Sequence, residues 1–354
     1  MKIAQVAPLY ESVPPKLYGG TERVVSYLTE ELVRMGHDVT LFASGDSLTS
    51  ARLLPGCPQA LRLKSDCVDY IAPHLTMLEE VYARKDEFDI IHFHLDYLHF
   101  PHSRRERIAQ VTTLHGRLDI PALGPLYEKF SDMPVISISK AQRKYLPIAN
   151  WVSTVHHGLP IRRYRPGAGK GEYLAFLGRT SPEKGLDRAI AIASQAGIPL
   201  RIAAKVDRVD KEYFDSQIRP LLDNPLVEFL GEIGYPDTVD FLGNALALLF
   251  PINWPEPFGL VMIEAMACGT PVIAYRQGSV PEVIEDGRSG FIVSDIESAL
   301  RAIDRLPEIS RKQCRQCFEE RFTSARMAQD YLEVYERLVD RTPAKLEISN
   351  ALYA

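Results

Sequence analysis

Lys2-Ile3-Ala4-Gln5-Val6-Ala7-Pro8 opens the chain with a short, almost wholly apolar run that stops at a proline. Such a run, bounded by a breaker, reads as a buried strand. A loop rich in proline and glycine follows from Tyr10 to Gly20. Thr21 then stands where an N-cap belongs, and Val24, Val25, Leu28, Leu32 and Met35 recur at helical spacing. Gly36 supplies the stop, and Val39 to Ala43 makes a second apolar strand. Strand, loop, helix, strand is the opening unit of a parallel α/β sheet.

The same pattern continues outward. Strands are predicted at Ile90 to His94, Val111 to Leu114 and Val135 to Ile138. It breaks at His157-Gly158-Leu159-Pro160, the basic stretch Ile161 to Pro166 and the glycine-broken Gly167 to Gly171, which read as a linker. It then restarts with a strand at Tyr173 to Leu177 and a helix at Leu186 to Ala196. More strands are predicted at Leu200 to Ala204, Val227 to Leu230, Ala247 to Phe250, Pro271 to Ala274 and Gly290 to Val293. Two such units in succession imply two facing sheets with a ligand cleft between their carboxyl ends. The expected domains are 1–160 on the acceptor side and 161–323 on the donor side. The amphipathic Ser324 to Asp340 opens a C-terminal segment, 324–354, that packs back on the first domain, with Arg341 to Ala354 on the surface.

A chain of 354 residues is long enough for two cores. Hydrophobic residues make up 46% and charged residues 25%, the balance of a globular protein. A net charge of -5 argues against nucleic acid as a partner. Five irregularly spaced cysteines form no disulfide framework and fit a reducing, cytoplasmic setting. No apolar run reaches the length of a membrane span, which leaves room only for peripheral contact with a membrane.

Three loops at predicted strand ends carry residues fit for chemistry. In Glu256-Pro257-Phe258-Gly259-Leu260-Val261-Met262-Ile263-Glu264 a helix is expected to start near Phe258. The free amides of Phe258, Gly259 and Leu260 would then make a phosphate site. Glu264, inside that helix, needs a donor that a ribose diol supplies, and Glu256 is placed to accept from a sugar. Taken alone, the two glutamates would read as a surface helix residue and a helix-dipole partner. In Gly178-Arg179-Thr180-Ser181-Pro182-Glu183-Lys184-Gly185, Arg179 and Lys184 offer two cations for a diphosphate. Gly19 and Gly20, at the first strand-to-helix loop, permit close approach of backbone to an anion. The loop is not G-x-G-x-x-G, so it lacks the dinucleotide fingerprint.

Histidines gather at His92, His94, His99, His102 and His115. His115 ends a predicted strand and should face the cleft. His92 and His94 are read as facing opposite sides of their strand, and His99 and His102 as ordinary hydrogen-bonded side chains. There is no D-x-D to clamp a metal-diphosphate. Cys314 and Cys317 form a lone C-x-x-C, read as structural or exposed thiols and not zinc ligands.

Together these residues resemble glycosyltransferase family 4, with its GT-B fold. The likeness runs through Met1-Lys2-Ile3, Gly19-Gly20-Thr21-Glu22-Arg23, Thr113-Leu114-His115-Gly116, Ile138-Ser139, Gly178-Arg179 with Glu183-Lys184-Gly185, the Glu256 to Glu264 pair, and Pro281-Glu282-Val283-Ile284 with Gly287 and Gly290. It covers nearly the whole chain. The resemblance implies that a hexose-type sugar moves, with retention, from a nucleotide-diphosphate donor to a carbohydrate, lipid-linked or small-molecule acceptor. It implies that Arg179 and Lys184 hold the diphosphate, that Glu264 binds ribose, and that Glu256 and the amides of Phe258, Gly259 and Leu260 place the sugar and phosphate. It implies that Gly19 and Gly20 let the first domain close on the donor, that His115 contacts the donor sugar, and that neither metal nor cofactor is needed. A sugar-nucleotide epimerase of similar fold and a non-catalytic carbohydrate-binding relative are the two alternatives.

Overall fold

The computed structural model describes residues 1–16, 19–64 and 67–341. Tyr18 of the first glycine loop, and the surface placement expected for 342–354, lie outside the described residues. The first sheet is built from β1 (Lys2–Val6), β2 (Asp38–Ser44), β3 (Arg52–Cys57), β4 (Ile90–Phe93), β5 (Ala109–Leu114), β6 (Pro134–Ser137) and β7 (Asn150–Thr154). The second is built from β8 (Leu174–Arg179), β9 (Leu200–Lys205), β10 (Val227–Gly231), β11 (Ala247–Phe250), β12 (Val272–Tyr275) and β13 (Gly290–Val293). Their orders are β3-β2-β1-β4-β5-β6-β7 and β10-β9-β8-β11-β12-β13, with every pairing parallel. Chain order reverses between β1 and β4 and again between β8 and β11. Those two switch points place the loops after β1, β4, β8 and β11 around one crevice.

Two strands, β3 and β7, were not expected. Both are edge strands, where the apolar signal is weak because one side is open. Pro55 and Gly56 in β3 are tolerated because an edge strand leaves part of its ladder unpaired. The first helix runs Gly20–Arg34 with Gly19 at its N-cap, so Thr21 lies inside it and not at the cap. The stretch Gly167 to Gly171, read as a linker, is tightly packed. A methyl group on Gly167 would fall 2.0 Å from the Gly243 carbonyl oxygen, and Arg311 donates to the carbonyls of Gly243 at 2.7 Å and Ala245 at 2.9 Å.

The chain crosses between the sheets twice, and the two crossings lie against each other. Leu159 accepts from the Ser324 amide at 2.9 Å and donates to Phe322 at 2.8 Å. A methyl group on Gly158 would sit 2.2 Å from the Thr323 carbonyl oxygen, so only glycine fits there. The final helix, Ser324–Arg341, buries Met327, Ala328, Tyr331 and Tyr335 in one core with Val24 and Leu28 of the first helix. Arg326 ties that helix to the first crossing through the carbonyls of His156 at 2.6 Å and His157 at 3.0 Å. Cys314 and Cys317 are fully buried, so the C-x-x-C is structural and not exposed. Among the described residues, no helix is long and apolar enough to cross a membrane.

Candidate active site

All ten residues singled out from the sequence line one cavity of about 480 Å³: Gly19, Gly20, His115, Arg179, Lys184, Glu256, Phe258, Gly259, Leu260 and Glu264. Arg179 ends β8. Its Nη2 donates to Glu183 at 2.7 Å, and its Nε lies 3.1 Å from Asp210. Lys184 follows in the next turn and pairs with Glu256 Oε2. Trp254 Nε1 donates to the same oxygen at 3.0 Å, and Lys184 Nζ stands 4.8 Å from the Trp254 ring centre. The cations at the head of the cleft are therefore already matched by carboxylates, and an arriving diphosphate has to exchange with them.

Glu264, only 2% exposed, accepts from Arg23 Nη1 at 2.8 Å and from the Tyr164 hydroxyl at 2.9 Å, both on Oε1. Burial works against the Arg23 charge, but the Glu264 carboxylate outweighs it and holds the guanidinium above its ordinary value. The two glutamates thus share a design. Each has one oxygen committed to two protein donors, and among the described residues no hydrogen bond to Glu256 Oε1 or Glu264 Oε2 is found. The helix that carries Glu264 runs Leu260–Ala267, with Gly259 as N-cap at φ 79°, ψ 69°. It starts two residues later than the sequence reading placed it. Gly259 is required in this left-handed conformation, and a methyl group there would also meet Met262 at 2.8 Å. Phe258 precedes the helix and buries its ring 4.9 Å from that of His157. Among the described residues, no protein acceptor is found for the amides of Phe258, Gly259 or Leu260.

The first sheet supplies the facing wall. A methyl group on Gly20 would sit 3.7 Å from Leu260 Cδ1, and one on Gly19 would strike Pro15 at 2.8 Å. The start of the first helix therefore faces the start of the Leu260–Ala267 helix, with room for little more than a methyl group between Gly20 and Leu260. His115 follows β5, with its Nε2 2.8 Å from His94 Nδ1 and its ring stacked 5.3 Å from that of His157. His92 and His94 do not face opposite sides. A strand repeats every two residues, so positions two apart share a face, and their ring centres are 4.1 Å apart. Both rings are spent on hydrogen bonds to other side chains. His99 bonds Thr112 at 2.8 Å and His102 bonds Glu106 at 3.1 Å, as ordinary structural side chains.

Several residues escaped the sequence reading: Trp254 and Asp96 line the cavity, and Tyr164 and Asp210 stand behind it against Glu264 and Arg179. Trp254 lies two positions before Glu256, and Tyr164 sits in the basic stretch between the domains; neither carried a motif. Asp210 reaches Arg179 from a different loop, which no local pattern signals. Asp96, just beyond β4, is the one non-glycine among the described residues with positive φ, at 49°.

Two facing parallel sheets with the charged loops turned into one cleft define the GT-B architecture. Residues 161–321 match the family described as glycosyl transferases group 1, and residues 18–194 match glycosyltransferase family 4. The chain belongs to glycosyltransferase family 4. It is 31% identical to the D-inositol 3-phosphate glycosyltransferase of Streptomyces scabiei over 45% of this chain, and the match spans 41% of that relative's length. It is 25% identical to the N-acetyl-alpha-D-glucosaminyl L-malate synthase of Bacillus anthracis, over 90% of this chain and 93% of that one. Among solved structures, Anabaena HepE in complex with UDP and glucose shares the fold at a TM-score of 0.72 and 20% identity, covering 95% of this chain and 100% of that one.

Proposed function

We propose that this protein is a retaining glycosyltransferase that moves a hexose-type sugar from a nucleotide-diphosphate donor to a hydroxylated acceptor held on the first-sheet side of the cleft. The observation that carries the reading is the paired glutamates. Glu264 and Glu256 are each fixed through one oxygen and, among the described residues, keep the other without a partner, eight positions apart along one loop and helix. A ribose diol suits Glu264 Oε2 and a sugar hydroxyl suits Glu256 Oε1, because a buried carboxylate oxygen needs a donor. Between them lie three amides with no acceptor among the described residues, and Arg179 and Lys184 stand in the same cavity. That is the equipment for a diphosphate. The UDP bound by HepE supports the same class of donor.

Breaking the glycosyl–phosphate bond builds positive charge on the sugar and negative charge on the leaving diphosphate. Once the diphosphate has displaced the carboxylates that hold Arg179 and Lys184, these two cations and the amides of Phe258, Gly259 and Leu260 surround it before the bond breaks and stabilise that second charge. The departing phosphate oxygen takes the proton of the acceptor hydroxyl on the same face, which retains configuration. This route uses no metal ion and no cofactor. The test is a screen of UDP-, GDP- and ADP-sugars for release of nucleoside diphosphate, with and without candidate acceptors. Release from one of them supports the reading. A product epimerised but not transferred would point to an epimerase, and no turnover of any would sink it.

A further inference from the structure

His115 is one end of a buried hydrogen-bonded chain that runs to the C-terminal helix. Its Nε2 lies 2.8 Å from His94 Nδ1, and His94 Nε2 lies 2.8 Å from Gln5 Oε1. Gln5 Nε2 donates to the Tyr335 hydroxyl at 3.1 Å. The chain goes on from Tyr335 to His92 Nδ1 at 2.6 Å, from His92 Nε2 to Thr113 Oγ1 at 2.7 Å, and from Thr113 to the Tyr331 hydroxyl at 3.0 Å. Gln5, His92, His94, Thr113, Tyr331 and Tyr335 are all buried. One polar path therefore joins three strands, the cleft and the helix that returns from the second sheet.

Such a chain has a direction. A neutral imidazole carries one N–H, so a ring that donates through one nitrogen accepts through the other. These rings are neutral: burial holds His92 and His94 well below the ordinary histidine value and His115 at about 3. Gln5 sets the direction. Its Oε1 only accepts, so His94 carries its hydrogen on Nε2 and accepts through Nδ1. His115 must then donate from Nε2, which leaves Nδ1 with a lone pair, and that buried Nδ1 has no partner among the described residues. On the other branch the Tyr335 hydroxyl, already accepting from Gln5, donates to His92 Nδ1, and His92 Nε2 donates to Thr113.

We propose that Tyr335, Gln5 and His94 are positioning residues that hold His115 in its Nε2–H tautomer, so that the returning helix fixes the remaining nitrogen of a cleft side chain as a hydrogen-bond acceptor. Such a nitrogen takes the O–H of a ligand hydroxyl and rejects a phosphate oxygen. The inference rests on the reading of His115 as a group that meets the donor sugar, but its test does not.

The whole protein, labelled with nitrogen-15 in histidine, is read by two-bond nitrogen–proton correlation spectra near neutral pH. His115 is assigned by the loss of its signals in His115→Gln. The wild type is expected to show a pyrrole-like Nε2 and a pyridine-like Nδ1 at His115. In Tyr335→Phe the Gln5 amide loses its acceptor, the direction is no longer enforced, and the His115 Nδ1 resonance is expected to move toward the pyrrole-like position. Gln5→Met is read in the same way if Tyr335→Phe does not fold. A wild-type His115 protonated on Nδ1 overturns the proposal without any variant, and so does an unchanged tautomer in the folded variant. A titration with UDP, GDP and ADP in the same wild-type sample reports the donor site separately. Failure of all three to bind would count against the nucleotide reading and leave the tautomer result standing.

Discussion

Arg23, in the first turn of the first helix, reaches across the cleft to Glu264 at 2.8 Å, inside the Leu260–Ala267 helix of the second sheet. Both bonds to the Glu264 carboxylate fall on the same oxygen, so the contact joins the sheets while leaving Oε2 to a ligand. Arg23→Ala would strand a carboxylate that is 2% exposed. Losing one partner of a buried pair costs on the order of 3 kcal/mol. We expect a lower urea midpoint and a larger radius of gyration in solution scattering. An unchanged midpoint and profile would mean that Arg23 does not brace the cleft.

The two glutamates are expected to fail differently. Glu264→Gln should weaken nucleoside diphosphate binding, because its proposed partner is ribose. Glu256→Gln should lower turnover with bare-nucleotide affinity largely kept, because its proposed partner is the sugar. Titration of the nucleoside diphosphate against both variants checks this, and the opposite pattern would reverse the roles.

Arg179→Ala and Lys184→Ala should each slow turnover at saturating donor while the fold survives. Removing one preorganised electrostatic partner costs on the order of 3 kcal/mol of transition-state stabilisation, or roughly a hundredfold in rate. Steady-state release of nucleoside diphosphate measures it, and near-wild-type rates in both variants would remove the diphosphate assignment.

Much of this was legible in the sequence because function sits where strands end. Arg179 closes β8, His115 follows β5, and Gly19 and Gly20 cap and open the helix that follows β1, so a correct strand placed each residue at the cleft. The errors have local causes. Thr21 has the residue type of an N-cap and the second helix was expected to start near Phe258, whereas glycines at 19 and 259 cap those helices, the second in a left-handed conformation that a residue with a side chain would strain. β3 and β7 are edge strands with little apolar signal. Pairings such as Tyr164 with Glu264, or Asp210 with Arg179, join distant segments, and no spacing rule within one loop encodes them.

Burial makes the histidines acid-sensitive. His92, His94, His99, His115 and His157 all titrate below the ordinary value because burial disfavours their charged form, with His99 and His115 at about 3. Unfolding returns each to about 6.5. Between those values the unfolded chain binds more protons than the folded one, so stability falls as pH drops below about 6.5 and is level with respect to these groups above it. Each ring contributes up to about 1.4 kcal/mol per pH unit in that window. Urea unfolding at about pH 7.5 and pH 5.5 should show a clear loss at the lower value. Equal stability would mean that these rings are not held neutral.

The claim that the cleft is a nucleotide-sugar donor site is tested most directly by a crystal structure of the protein with the nucleoside diphosphate released in the donor screen. The account predicts the diphosphate against Arg179, Lys184 and the amides of Phe258, Gly259 and Leu260, with the ribose hydroxyls on Glu264 Oε2 and the loop at Gly19 and Gly20 closed over the phosphates. A nucleotide bound elsewhere, or bound with its ribose away from Glu264 and its phosphates away from Arg179 and Lys184, would contradict it.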